Sequence, residues 1–234
     1  MSGNGSTVRI MTWNIHGAVG RNPRFDLKRV VELIQRADPD VVALQEVDSR
    51  QRADGEDPFA LLQQLLGVYG IGAKSITGVD GDYGQLLISR WPITGQEVHD
   101  ISHPEREPRR AIKAEIDTPA GALRIVAAHL GLSAHERRGQ AKKLLDIAGR
   151  TPPTTVVVGD FNDWLWAGSV RAALAREFPG RTRYRTFPSW LPLLRLDRIY
   201  CRPARALLQS HIEPLARHLS DHVCVVAEVR PDAL

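Results

Sequence analysis

Cysteine is scarce in this 234-residue chain, which carries only Cys201 and Cys224. Two thiols make no disulfide framework in a chain this long. Each sits in an apolar, strand-like stretch, so both are expected as reduced core residues in a reducing compartment, the cytoplasm. No apolar run approaches the roughly 20 residues that a membrane-crossing helix needs. The polar start, Met1 to Ser6, leads directly into a strand-like run, so no secretory leader is expected. Lysine is also sparse: Lys28, Lys74, Lys113, Lys142 and Lys143 are all there are, although the net charge is +4. Arginine therefore dominates the positive charge, and its planar fork suits phosphate oxygens. Compositional bias accounts for scattered arginines equally well, so the charge is compatible with an anionic partner without identifying one. No Gly-x-Gly-x-x-Gly comes after the first strand, and Gly17-Ala18-Val19-Gly20 lacks a P-loop lysine, which argues against an oxidoreductase of the dinucleotide-binding kind.

What the chain does have is alternation. Short β-branched runs are interleaved with amphipathic stretches, a pattern of the α/β class. Strands are predicted at Val8–Trp13, Val41–Gln45, Leu86–Ser89, Gln96–Ile101, Arg110–Asp117, Leu123–Ala128, Thr155–Val158, Leu196–Cys201 and Val223–Val229. Helices are predicted at Asp26–Arg36, from the Asp57-Pro58 cap to Gly67, from Ser133 through Ala148, and at Ser169–Phe178. The Arg-, Pro- and aromatic-rich stretch between Phe178 and Leu196 reads as a loop over a site. No long linker splits the chain, so a tail at residues 1–7 and one domain at residues 8–230 are expected. Hairpins mixed with strand–helix units imply mixed rather than all-parallel sheets.

The informative feature is the polar residue at the end of each apolar strand. Asn14, Glu46, His129 and Asp160 each come directly after one, with Asn162 two residues beyond the last. Asp197 sits inside an apolar run, and Asp221 and His222 open the final strand. Such groups beside buried apolar residues are costly unless paired or ligating, and strand ends are where α/β sheets gather ligand sites. Singly each is weak: a lone Asn or Glu after a strand is more often a cap, and a lone histidine is more often structural.

Jointly they are specific. Thr12-Trp13-Asn14-Ile15-His16-Gly17, Gln45-Glu46-Val47, Ile88-Ser89-Arg90-Trp91-Pro92-Ile93, Ala128-His129-Leu130, Gly159-Asp160-Phe161-Asn162, Leu196-Asp197-Arg198-Ile199 and Ser220-Asp221-His222 occur in this order. The ensemble, from Arg9 to Val229, resembles the endonuclease/exonuclease/phosphatase (DNase I-like) superfamily, whose members include deoxyribonucleases, apurinic endonucleases, inositol-polyphosphate phosphatases and sphingomyelinases. Ala128–Ser133 with Glu136–Gln140, and Thr186–Trp190, resemble a bacterial metal-dependent hydrolase branch of it.

The resemblance implies a four-layered α/β sandwich, with two mixed β-sheets face to face and helices outside, and an active site at one edge. It implies phosphate-ester hydrolysis by activated water with Mg²⁺ or Mn²⁺, since oxygen ligands favour these cations. Glu46 matches the principal metal ligand, with Asn14 and Asp221 near the metal. Asp160 matches the residue that orients or deprotonates water, and Asn162 its orienting neighbour. His222 matches a phosphate-contacting histidine fixed by the carboxylate of Asp197, and His129 a second one. Gln85 stands where relatives carry Asn, and Arg109 is a candidate phosphate contact or a strand-edge surface charge. Nucleic acid, a phospholipid head group and a small phosphodiester all remain open as substrates, and a non-catalytic phosphate-binding protein remains a further alternative. A monomer is expected. Trp164 and Trp166 come after the Asp160 loop, where they could stack on a base or contact a lipid; core packing is the simpler expectation.

Overall fold

The computed structural model describes residues 7–20, 25–50, 57–164 and 169–231. Its first sheet contains β1 (Val8–Asn14), β2 (Val41–Asp48), β3 (Tyr69–Gly78), β4 (Gly81–Ser89), β11 (Leu207–Ile212) and β12 (Val225–Val229). They lie in the order β11-β12-β1-β2-β4-β3. The second sheet contains β5 (Ile93–Asp100), β6 (Arg110–Thr118), β7 (Gly121–His129), β8 (Thr154–Asp160), β9 (Gly180–Arg181) and β10 (Asp197–Arg202), in the order β5-β6-β7-β8-β10-β9. Each sheet is mixed: β1 runs parallel to β2 and β7 parallel to β8, while the other pairings are antiparallel.

Strand periodicity builds the layers. Successive side chains point to opposite faces, so Ile10, Val41, Ala43, Ile125, Val156 and Val158 fill the space between the sheets. Their neighbours Met11, Val42 and Leu44 turn outward onto Leu27, Val30, Val31 and Ile34 of α1 (Leu27–Ala37) and Phe59 and Leu62 of α2 (Pro58–Leu66). On the other side Val126, Ala128 and Val157 meet Ala141 and Leu144 of α3 (Ala134–Ala148) and Val170 and Leu174 of α4 (Ser169–Glu177). Three apolar interfaces separate four layers: helices, sheet, sheet, helices.

Two helix starts agree with the predicted caps: Asp57 and Ser133 each accept a backbone N–H of the first turn, and Ser133 forms a full capping box with Glu136. Asp26, read as the first residue of its helix, is its cap and accepts Arg29 N. Three strands depart from the sequence reading: β3, the two-residue β9 and β11 were not predicted. β2 runs on to Asp48, so Glu46 lies within the strand, at a bulge between Gln45 and Val47. The last strand begins at Val225, so Asp221 and His222 precede it in a bend. Both cysteines are buried and free, as expected.

Candidate active site

The topology sends the polar residues to one edge. The parallel pairs end together: Asn14 is opposite Gln45, and His129 opposite Asp160. β10 runs antiparallel to β8, so its first residue, Asp197, lies opposite Asp160. The bend before β12 is pinned to the end of β1. Ser220 Oγ donates to Asn14 O at 2.7 Å and receives His222 N at 3.1 Å, and the buried Trp13 Nε1 donates to His222 O at 3.0 Å.

Six side chains then close a ring. Asn14 Nδ2 donates to Glu46 Oε1 at 2.7 Å and to Asp160 Oδ2 at 3.0 Å. Asp160 Oδ2 is 3.7 Å from His222 Nε2, which is 3.9 Å from Asp221 Oδ1. Asp221 Oδ1 is 3.7 Å from His16 Nδ1, and His16 returns to Glu46 Oε2 at 3.4 Å. An outer arc supports the ring. Asp197 Oδ2 accepts from His222 Nδ1 at 2.8 Å. His129 Nε2 is 3.6 Å from Asp160, 3.9 Å from Glu46 and 3.3 Å from Asn162 Nδ2. Arg109 Nη1 lies 3.2 Å from His129 Nδ1. A guanidinium has only donors, so Nδ1 accepts and the ring proton of neutral His129 sits on Nε2, facing the ring.

Local backbone aims several of these groups. Glu46 (φ +56°), Asn162 (φ +49°) and His16 (φ +48°) all adopt the left-handed conformation that most side chains avoid. Such strain gathers where surrounding structure fixes a functional geometry. Asp160 Oδ1 accepts Asn162 N at 2.9 Å, which tightens the turn out of β8.

The electrostatics separate the three histidines. Burial opposes charge on His222, but Asp197 and Asp160 outweigh it and raise its pKa to about 10. Burial and then Arg109 push His129 down to about 4 despite the nearby carboxylates. The hydrogen bond to Glu46 raises His16 against partial burial. Burial would raise Glu46, yet contacts with His16, His129 and Asn14 hold it at about 2, so it stays ionised.

The structure thus brings together Asn14, Glu46, His129, Asp160, Asn162, Asp197, Asp221, His222 and Arg109. Gln85 lies opposite Gln45 on β4; its amide donates to Arg110 O at 2.5 Å, tying the sheets, while its Oε1 is buried without a partner. His16 and Tyr83 were given no role from sequence, although His16 lies in a quoted motif. Tyr83 is close to Arg109 and Glu46; burial, then the Glu46 charge, push its phenol well above the usual range. Trp164 is 53% exposed rather than core, and Trp166 lies outside the described residues.

The donor set fits a hard cation. Glu46 and Asp221 each bring a carboxylate oxygen to His16 Nδ1, at 3.4 and 3.7 Å, and Glu46 is held ionised. Asn14 turns its nitrogen to the carboxylates, while its Oδ1 accepts His16 N at 3.0 Å. Asp160, Asp197 and His222 also bring ligand atoms within 4.8 Å of one another. There, however, the Asp197–His222 hydrogen bond already occupies one carboxylate oxygen and one ring nitrogen.

Two facing mixed sheets, flanked by helices and carrying polar residues at one edge, define a DNase I-like α/β sandwich. A solved endonuclease/exonuclease/phosphatase structure from Beutenbergia cavernae shares this fold, with a TM-score of 0.78 at 23% identity, over 97% of this chain and 72% of that one. The model of the Endonuclease/Exonuclease/phosphatase family matches residues 11–222, and the chain belongs to that family. It is 32% identical to the uncharacterized protein YbhP of Escherichia coli, over 95% of this chain and 96% of that protein. A 5′-tyrosyl-DNA phosphodiesterase of Caenorhabditis elegans is 27% identical over 66% of this chain and 42% of its own length.

Proposed function

We propose that this protein is a metal-dependent phosphoesterase that hydrolyses a phosphodiester by in-line attack of water. The observation that carries the reading is the buried Asp160, held between Asn14 and the Asp197-paired imidazole of His222. Glu46 and Asp221 would hold Mg²⁺ or Mn²⁺, and Asn14 orients Glu46 beside them. Bound there, the cation would neutralise phosphoryl oxygen charge and stabilise the departing oxygen.

The chain's own groups supply the rest. Asp160 accepts a hydrogen bond from the attacking water, aligns it and takes its proton as the oxygen bonds to phosphorus. His222, kept as an imidazolium by Asp197, offers its Nε2 proton to a phosphoryl oxygen where negative charge builds. Neutral His129 offers a second donor, fixed in that tautomer by Arg109. Asn162 orients the same face; its Nδ2 is anchored to Leu130 O at 2.9 Å. The naming of one relative as a 5′-tyrosyl-DNA phosphodiesterase favours a diester over a monoester.

The test is a panel with purified protein, Mg²⁺, Mn²⁺ and an EDTA control. Its substrates are bis-p-nitrophenyl phosphate, p-nitrophenyl phosphate, plasmid DNA, inositol phosphates and phospholipids, with Asp160→Ala in parallel. EDTA-sensitive cleavage of a diester, lowered by on the order of 10²-fold or more in Asp160→Ala, is the expected result. Cleavage that ignores both EDTA and Asp160→Ala would refute the mechanism.

A further inference from the structure

The described residues around the ring carry large apolar side chains out into solvent. Leu132, three residues after His129, is 70% exposed, and Trp164, two after Asn162, is 53% exposed. In the third segment, Trp190, Leu191 and Leu193 are 62%, 50% and 54% exposed. Three extended residues span about 10 Å, so Leu132 and Trp164 lie within that reach of His129 and Asn162. The third segment is tied to the ring directly: the Phe187 ring lies 4.8 Å from that of His222, and Ser189 N donates to Asp221 O at 2.6 Å.

The backbones of two of these segments are braced. Gln140 Oε1 accepts Gly131 N at 2.9 Å, and the buried Arg137 donates to the carbonyls of Gly131 and Leu132. The 187–194 loop closes on itself through Leu193 N and Leu194 N to Phe187 O at 2.9 and 2.8 Å, and Ser189 Oγ donates to Ser220 O at 2.7 Å. Apolar surface exposed on loops beside a polar ring marks an interaction face.

Charge names the partner. Between Glu177 and Asp197 the chain has four arginines, Arg181, Arg183, Arg185 and Arg195, and no acidic residue. Arg183, Arg185 and Arg195 are exposed. Asp163 and Glu136, the acidic residues of the other two segments, are buried. Tryptophan and leucine amid arginine are what a protein inserts at the interface of an anionic bilayer. A nucleic-acid groove takes its affinity from phosphate contacts and base stacking, for which exposed leucines offer nothing.

We propose that this rim docks on an anionic phospholipid surface, so that lipid phosphodiesters are the class of substrate the ring meets. The docking stands on the rim alone; the substrate assignment rests on the phosphoesterase reading. The experiment is co-sedimentation of the full chain with phosphatidylcholine vesicles, with and without phosphatidylglycerol. Trp190→Ser/Leu193→Ser is compared in parallel, and bis-p-nitrophenyl phosphate turnover is measured on both proteins. Expected are sedimentation with anionic vesicles, at least tenfold weaker binding by the double variant, and unchanged turnover of the soluble diester. Absence of wild-type binding, or equal binding by the variant, overturns the proposal. So does a gel shift on DNA that needs Trp190 and Leu193 while vesicles are ignored. Vesicle binding without soluble-diester turnover would keep the docking face and remove the phosphoesterase reading instead.

Discussion

Asp160 exposes 1% of its surface, and burying a carboxylate is costly unless it is paired. Its two oxygens are accounted for by Asn162 N, Asn14 and two imidazoles, which is how the site tolerates it. Gly159-Asp160-Phe161-Asn162 was legible only as one of an ordered set of motifs, since a polar residue closing an apolar strand can by itself merely cap a turn. His16 was not legible: only the bend after β1 swings it between Glu46 and Asp221. Asp197 offers the sharpest test at this scale. Asp197→Asn keeps an acceptor near Nδ1 but removes the charge that favours the imidazolium. The expected outcome is turnover lower by roughly 10²-fold together with a lower melting temperature, because a buried ion pair loses one partner, read by steady-state kinetics and a thermal melt. Unchanged turnover would remove Asp197 from the mechanism.

Strands were read well where both faces are covered and poorly at sheet edges. β3, β9 and β11, the three that escaped, are all edge strands. Such strands pack on one side only and carry polar or glycine residues that blunt further pairing, so alternation fades. Tyr69-Gly70-Ile71-Gly72-Ala73-Lys74 shows this: only Ile71 and Ala73 are buried. The central crossing of β7 and β8 is the opposite case. At Gly159 (φ +142°) an added Cβ would meet Ala128 O at 1.8 Å, backbone against backbone. Gly159→Ala is therefore expected to cost at least about 2 kcal/mol, on the scale of strain at special backbone positions. A fall of roughly 4–8 °C in melting temperature would report it. Because Asp160 is the next residue, activity should fall with it; a variant as stable as the parent would show that the strands can part.

Across the whole molecule, the three apolar interfaces keep the cysteines out of reach. Cys201 lies between the sheets and Cys224 between the first sheet and its helices. Burial pushes the Cys201 thiol up to about 12 and raises that of Cys224 as well. Alkylation by iodoacetamide should leave the native protein unmodified over minutes, while both thiols react in guanidinium, as intact-mass measurement would record. Rapid labelling of the native chain would mean that a layer opens.

The sequence alone determined the α/β class, the succession of most strands and helices along the chain, and the caps at Asp57 and Ser133. These rest on local physics, two-residue periodicity and N-cap hydrogen bonding, whereas most of the ring was legible only through the resemblance of its ordered motifs to a known family. Tertiary structure alone decided how the ends of β1, β2, β7, β8 and β10 meet, because parallel pairing and crossover depend on contacts distant along the chain. It also placed His16 and Tyr83 beside Glu46, gave the Gln85 amide a tie between the sheets, and turned Trp164 and Trp190 outward. A side chain's direction at a loop depends on what the rest of the molecule packs against it, and no local pattern records that.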